Sequence, residues 1–136
     1  LPAFDTAVTA VAQFLRALPR VYNADPDHIY LMGFSQGAAV SYATAMRHPG
    51  SARAIAGLVG FIPDACATPT NLVALEDMPI FMAVGLEDKL VPYERALGCA
   101  GVLRQADAQL SFNEYHTGHK LNSQGMRDLH DWWHER

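Results

Sequence analysis

Gly33-Phe34-Ser35-Gln36-Gly37 follows the apolar run His28-Ile29-Tyr30-Leu31-Met32 and leads into an alanine-rich stretch from Ala38 to Met46. A G-x-S-x-G pentapeptide between a strand and a helix reads as a nucleophile elbow. The turn is tight enough to strain the serine backbone and crowd its neighbours. Gly33 and Gly37 are expected to remove side chains that would clash there. Such a turn leaves the Ser35 hydroxyl exposed at the carboxyl end of the strand. It also aims the Gln36 N–H at a substrate carbonyl oxygen. The bland alternative is a serine in an ordinary glycine-rich loop. The β-rich run before it and the helix-forming run after it favour the elbow.

Working outward, Phe4, Val8, Val11, Leu15 and Leu18 recur at helical spacing. They predict a helix over residues 4–18, stopped by Pro19. Asp25-Pro26-Asp27 is turn chemistry, and a strand is expected at 28–32. A helix over 36–48 ends at Pro49-Gly50, with His48 as its cap. Residues 53–60 read as a buried parallel strand, because their apolar character hardly alternates. Residues 64–77 read as mostly irregular, with Pro69 breaking any long helix. Strands are expected at 79–84 and 109–115, with a helix over 93–106 between them, weakened by Gly98 and Gly101. Leu121, Met126, Leu129, Trp132 and Trp133 belong to a final helix. Strand alternating with helix predicts an α/β fold, about four parallel strands with flanking helices. Active groups in such sheets gather beyond the carboxyl ends of the strands.

The chain has 136 residues, 50% hydrophobic and 18% charged, which suits one globular domain over 1–136. Its formal charge is −4 and its Lys and Arg are scattered singly, which argues against a nucleic-acid surface. No apolar run approaches the length of a bilayer span. Cys66 and Cys99 match no metal spacing and imply no disulfide, so a reducing, cytoplasmic setting is expected. Met32, Met46, Met78 and Met82 read as core filler. Nothing in the sequence bears on oligomeric state.

Two further loops carry matching chemistry. Gly85-Leu86-Glu87-Asp88-Lys89-Leu90-Val91-Pro92 follows the third strand, and Tyr115-His116-Thr117-Gly118-His119 follows the fourth. Serine, acid and histidine thus occur in the order Ser…Asp…His, each just past a strand. A serine hydroxyl needs a base to take its proton, and a carboxylate to fix the base's tautomer. Ser35, His119 and Asp88 are the candidates for nucleophile, base and orienting acid. Glu87 competes with Asp88, but its side chain leaves the loop in another direction. His116 competes with His119, which is favoured because Gly118 lets the loop turn just before it and a helix begins at it. His130 and His134 are four apart on one helical face, yet lack a third ligand and the H-E-x-x-H form. They read as a solvated face, and no metal is expected.

Four segments together resemble the carboxylesterase / phospholipase / acyl-protein thioesterase family of α/β-hydrolases. They are Gly33-Phe34-Ser35-Gln36-Gly37-Ala38, Gly57-Leu58-Val59-Gly60-Phe61-Ile62-Pro63, Gly85-x-x-Asp88-x-x-Val91-Pro92 and Tyr115-x-x-Gly118-His119. The resemblance implies a cofactor-free serine hydrolase acting on a small-molecule ester or thioester. It implies Gln36 N–H as an oxyanion donor. Phe61, Ile62, Leu90 and Val91 lie on neighbouring loops and are the candidates for lining an acyl pocket, the alternative being ordinary loop packing. The family's early His-Gly-Gly-like or Leu-His-Gly-like segment, which supplies a second donor, has no counterpart here. The first strands of the fold are also missing, so the strand at 28 is expected as an open edge. The chain is therefore read as the carboxyl-terminal portion of a longer enzyme. The rival reading is a catalytically weak or inactive binding module on the same fold.

Overall fold

The computed structural model describes residues 2–136. Strands β1 (Tyr30–Phe34), β2 (Ala54–Leu58), β3 (Pro79–Gly85) and β4 (Gln109–Tyr115) form one sheet in the order β1-β2-β3-β4. Every neighbouring pair is parallel. The register pairs Phe34 with Leu58, Leu58 with Ala83, and Gly85 with Tyr115. The chain therefore leaves all four strands at one rim.

Among the described residues five α-helices flank the sheet: α1 (Pro2–Val21), α2 (Gln36–Arg47), the short α3 (Pro69–Leu72), α4 (Tyr93–Gln105) and α5 (Ser123–His134). Strand residues alternate between two packed faces. Ile55, Ile80, Met82 and Val84 pack with α1, α2 and α4. Ala54, Ala56, Phe81 and Ala83 pack with Trp132 of α5. Both faces being covered explains why β2 is buried at every position and shows little alternation in sequence. Alanines at 38, 39 and 43 are fully buried. They let α2 lie close to the sheet, with the Tyr42 ring over Gly57.

Several expectations need correction. Pro19 does not stop α1, which runs to Val21 with Pro19 inside its last turn. Proline there forfeits one backbone donor, and the Tyr22 N–H still reaches the Leu18 carbonyl at 3.0 Å. The first strand starts two residues later than expected, because Asp25 caps a 3-10 turn over Pro26–His28. That strand also takes in Gly33 and Phe34. Residues 64–77 are not irregular. They form a 3-10 turn (Asp64–Cys66), α3, and a second 3-10 turn (Val73–Leu75). No long helix runs through Pro69, but it starts the four-residue α3, since a first-turn proline loses no helical bond and Thr68 caps the end. The last helix begins at Ser123 with Asn122 as its cap, so His119 lies on a loop and not at a helix start. Met46, Met78 and Met82 are buried, but Met32 is 58% exposed on the edge strand. Among the described residues strand β1 has a neighbour on one side only, which leaves Met32 short of packing partners.

Candidate active site

Ser35 links β1 to α2 with φ +55° and ψ −115°. An L-residue rarely adopts that backbone, at a cost of about 1–3 kcal/mol. The Ser35 N–H donates to the Leu58 carbonyl at 2.8 Å, tying the turn to β2. The Ala38 N–H donates back to the Ser35 carbonyl at 3.1 Å, starting the helix. A Cβ at position 33 would stand 2.5 Å from the Ala38 nitrogen, so the turn requires Gly33. At position 37 a Cβ would meet nothing within 4 Å. The expectation that both flanking glycines relieve a clash is therefore half right.

Asp88 lies in the loop after β3, its side chain only 2% exposed. Its Oδ1 accepts the Leu90 and Val91 N–H groups, each at 2.9 Å. Its Oδ2 lies 2.8 Å from His119 Nδ1. Burial alone would push this carboxyl up. The Val91 N–H, the His119 ring and the Leu90 N–H outweigh that and hold it below the usual carboxylate range. Asp88 is thus ionised at neutral pH and can only accept. That places the proton of a neutral imidazole on Nδ1 and leaves Nε2 as acceptor. His119 Nε2 lies 2.8 Å from Ser35 Oγ, which donates its hydroxyl proton to it.

The loops holding Asp88 and His119 are stitched together. The Leu86 N–H donates to the Tyr115 carbonyl at 2.9 Å, and the Glu87 N–H to the Thr117 carbonyl at 3.0 Å. The two rivals stand apart in solvent. Glu87 is 63% exposed and His116 88% exposed, with 4.0 Å between carboxylate and ring. His48 sits at the carboxyl cap of α2. His130 and His134 face each other on α5, their Nε2 atoms 2.9 Å apart. Among the described residues no group of three or more His, Cys, Asp or Glu is placed to hold a metal. No described helix is long and apolar enough to cross a membrane. Cys66 and Cys99 are both buried and free.

Gln36 is the first residue of α2. Backbone donors there have no partner within the helix. It borders a cleft of about 330 Å³ together with Phe4, Phe61, Pro63 and Arg95. Of the four residues expected to line one pocket, only Phe61 borders this cleft. Ile62 and Val91 are buried at 3% and 6% exposure, while Leu90 is 74% exposed. Sequence reasoning missed Phe34, whose ring lies 5.3 Å from that of His119 at 60°. It missed Gly60 too, where a Cβ would stand 2.8 Å from the Ser35 carbonyl oxygen. Gly60 carried a signal, because it closes the apolar run 53–60, although β2 itself already ends at Leu58. Phe34 carried none, because its partner is 85 residues away.

A parallel sheet with helices on both faces and a strained Ser35 turn at its rim defines an α/β-hydrolase fold. The phospholipase/carboxylesterase family profile matches residues 3–134, and the chain belongs to that family. A probable carboxylesterase, SOBER1-like, of Arabidopsis thaliana is 28% identical over 114 residues, covering 82% of this chain and 44% of the relative. Among solved structures, Zea mays acyl-protein thioesterase 2 superposes with a TM-score of 0.78 at 21% identity, covering 97% of this chain and 64% of that one. Esterase PE8 superposes with a TM-score of 0.85 at 25% identity, covering 99% and 62%. The chain spans about half the length of the curated relatives it matches.

Proposed function

We propose that this chain carries the catalytic groups of a serine hydrolase that cleaves carboxylic esters or thioesters through an acyl-enzyme. One observation carries the reading: two 2.8 Å hydrogen bonds run from Ser35 through His119 to the ionised Asp88. Ser35 Oγ attacks the carbonyl carbon as its proton passes to His119 Nε2. Asp88 stabilises the imidazolium and holds its tautomer. The carbonyl electron pair moves onto oxygen, where the Gln36 N–H at the positive end of α2 meets the new charge. Collapse breaks the bond to the leaving alcohol or thiol, which takes the proton from His119. Water, deprotonated by His119, then attacks the acyl carbon. The bond to Ser35 Oγ breaks as Oγ takes the proton back from His119, and the acid departs.

Each step uses protein groups and water, with no cofactor. The ester or thioester preference draws on the names of the relatives, a carboxylesterase and a thioesterase. Phe61, on the cleft beside Gln36, is the proposed apolar contact for the acyl group. Labelling with a fluorophosphonate probe tests the reading. Label is expected on Ser35, absent in Ser35→Ala and strongly reduced in His119→Ala. An unlabelled Ser35, under conditions that label a control esterase, sinks the proposal.

A further inference from the structure

Arg95 is a cation in an unfavourable place. It lies in the first turn of α4, where the helix dipole is positive and repels it. Among the described residues it makes no ion pair, whereas Arg47 and Arg53 pair with Asp5 and Asp27 at 2.8 Å. Arg104 also lacks an ion pair, but it sits in the last turn of α4, where a cation is favoured. Asp64 borders the same cleft as Arg95 without pairing with it, and Asp5, on that cleft too, is taken up by Arg47. What holds Arg95 is the Phe61 ring, with the guanidinium carbon 4.3 Å from its centroid. A guanidinium stacked on a ring keeps its in-plane N–H edge free, and that edge matches a carboxylate in two parallel hydrogen bonds.

Gln36, the neighbour of Ser35, borders the same cleft as Phe61 and Arg95. We infer that Arg95 is a specificity-determining residue for esters that carry a free carboxylate, that is, half-esters of dicarboxylic acids. The ester carbonyl reaches Ser35 while the distal carboxylate meets the Arg95 fork. Phe61 then has two roles, as an apolar wall and as the support that sets the angle of the guanidinium. This inference rests on the proposed role of Ser35.

The test compares monomethyl adipate with methyl hexanoate, which share chain length and differ in the charged end. Calorimetry on the Ser35→Ala chain measures binding without turnover. Monomethyl adipate is expected to bind about tenfold tighter, the worth of a charged hydrogen-bonded pair. That gap narrows as salt is added. Arg95→Gln is expected to close the gap, Arg95→Lys to keep part of it, and Arg104→Gln to leave it whole. No gap, or a gap that survives Arg95→Gln in a protein with unchanged circular dichroism, overturns the inference. Fluorophosphonate labelling of wild type separates the two failures. A labelled Ser35 without a gap defeats only the carboxylate preference. A gap without label keeps the anion site and defeats the hydrolase reading.

Discussion

The Gly118 carbonyl oxygen occupies the space that a Cβ at Gly85 would need. The Thr117 carbonyl oxygen stands 2.8 Å from the same point. Gly85 ends β3 and Gly118 precedes His119, so this is where the two loops press together. The 2.8 Å contact between Asp88 and His119 depends on that approach. A side chain here wedges apart two backbones, neither of which can swing aside like the tip of a flexible side chain.

Gly85→Ala is therefore expected to cost about 1–3 kcal/mol of stability through overpacking. The displaced histidine loop is expected to lower kcat by about 10². Thermal unfolding and ester hydrolysis on the same preparation check it. Wild-type turnover in Gly85→Ala would show that the loops do not need this contact.

Asp88→Asn keeps the shape of the side chain but reverses the hydrogen bond, since an amide can donate to Nδ1. The ring is then held in the wrong tautomer. A loss of about 10⁴ in kcat is expected, the size the same change causes in a trypsin-type serine protease. A loss below tenfold would remove Asp88 from the proposed relay.

Acid sensitivity follows from the same carboxylate. An unfolded aspartate titrates near ~3.9. Asp88 in the folded chain is held lower by its donors, after they offset burial. Its ionised form therefore contributes stability that is complete above about pH 4–5 and is lost as pH falls through the folded value. Urea midpoints from neutral to acid pH should fall less steeply for Asp88→Asn than for wild type. Parallel curves would contradict this linkage.

Phe34 is half exposed, with its ring against His119. Its contact restrains the imidazole more than it stabilises the fold. Phe34→Ala is expected to lower kcat by about tenfold or less, the worth of one aromatic pair. The unfolding temperature should barely move, and Phe34→Tyr should restore the rate. A pure KM effect would instead assign the ring to substrate contact.

Leu75 lies in the stretch whose sequence reads as irregular, yet it is fully buried. Leu75→Ala is expected to cost about 2–5 kcal/mol, a large share of the stability of a domain this size. Chemical denaturation measures it directly. A cost under 0.5 kcal/mol would mean that the 3-10 segment packs loosely.

The sequence was most legible where the physics is local. The expected strand over 109–115 matches β4, where apolar Leu110 and Phe112 alternate with polar Gln109, Ser111 and Asn113. The glycines and serine of the elbow likewise describe a single turn. The order of Ser35, Asp88 and His119 along the chain could be read because each follows a strand, and parallel strands end at one rim. Pro19 misled because a proline's effect depends on its place in a helix turn, and pattern places helix ends poorly.

Only the tertiary structure decided the rest. Whether Met32 is buried depends on what lies beside an edge strand, not on its being methionine. Ile62 and Val91 sink into the packing while Leu90 points to water, though all three are similarly apolar. Phe34 and His119, or Arg95 and Phe61, are partners across many residues of chain. Such contacts are fixed by the summed packing of the sheet and its helices, a long-range quantity that no local window of sequence contains.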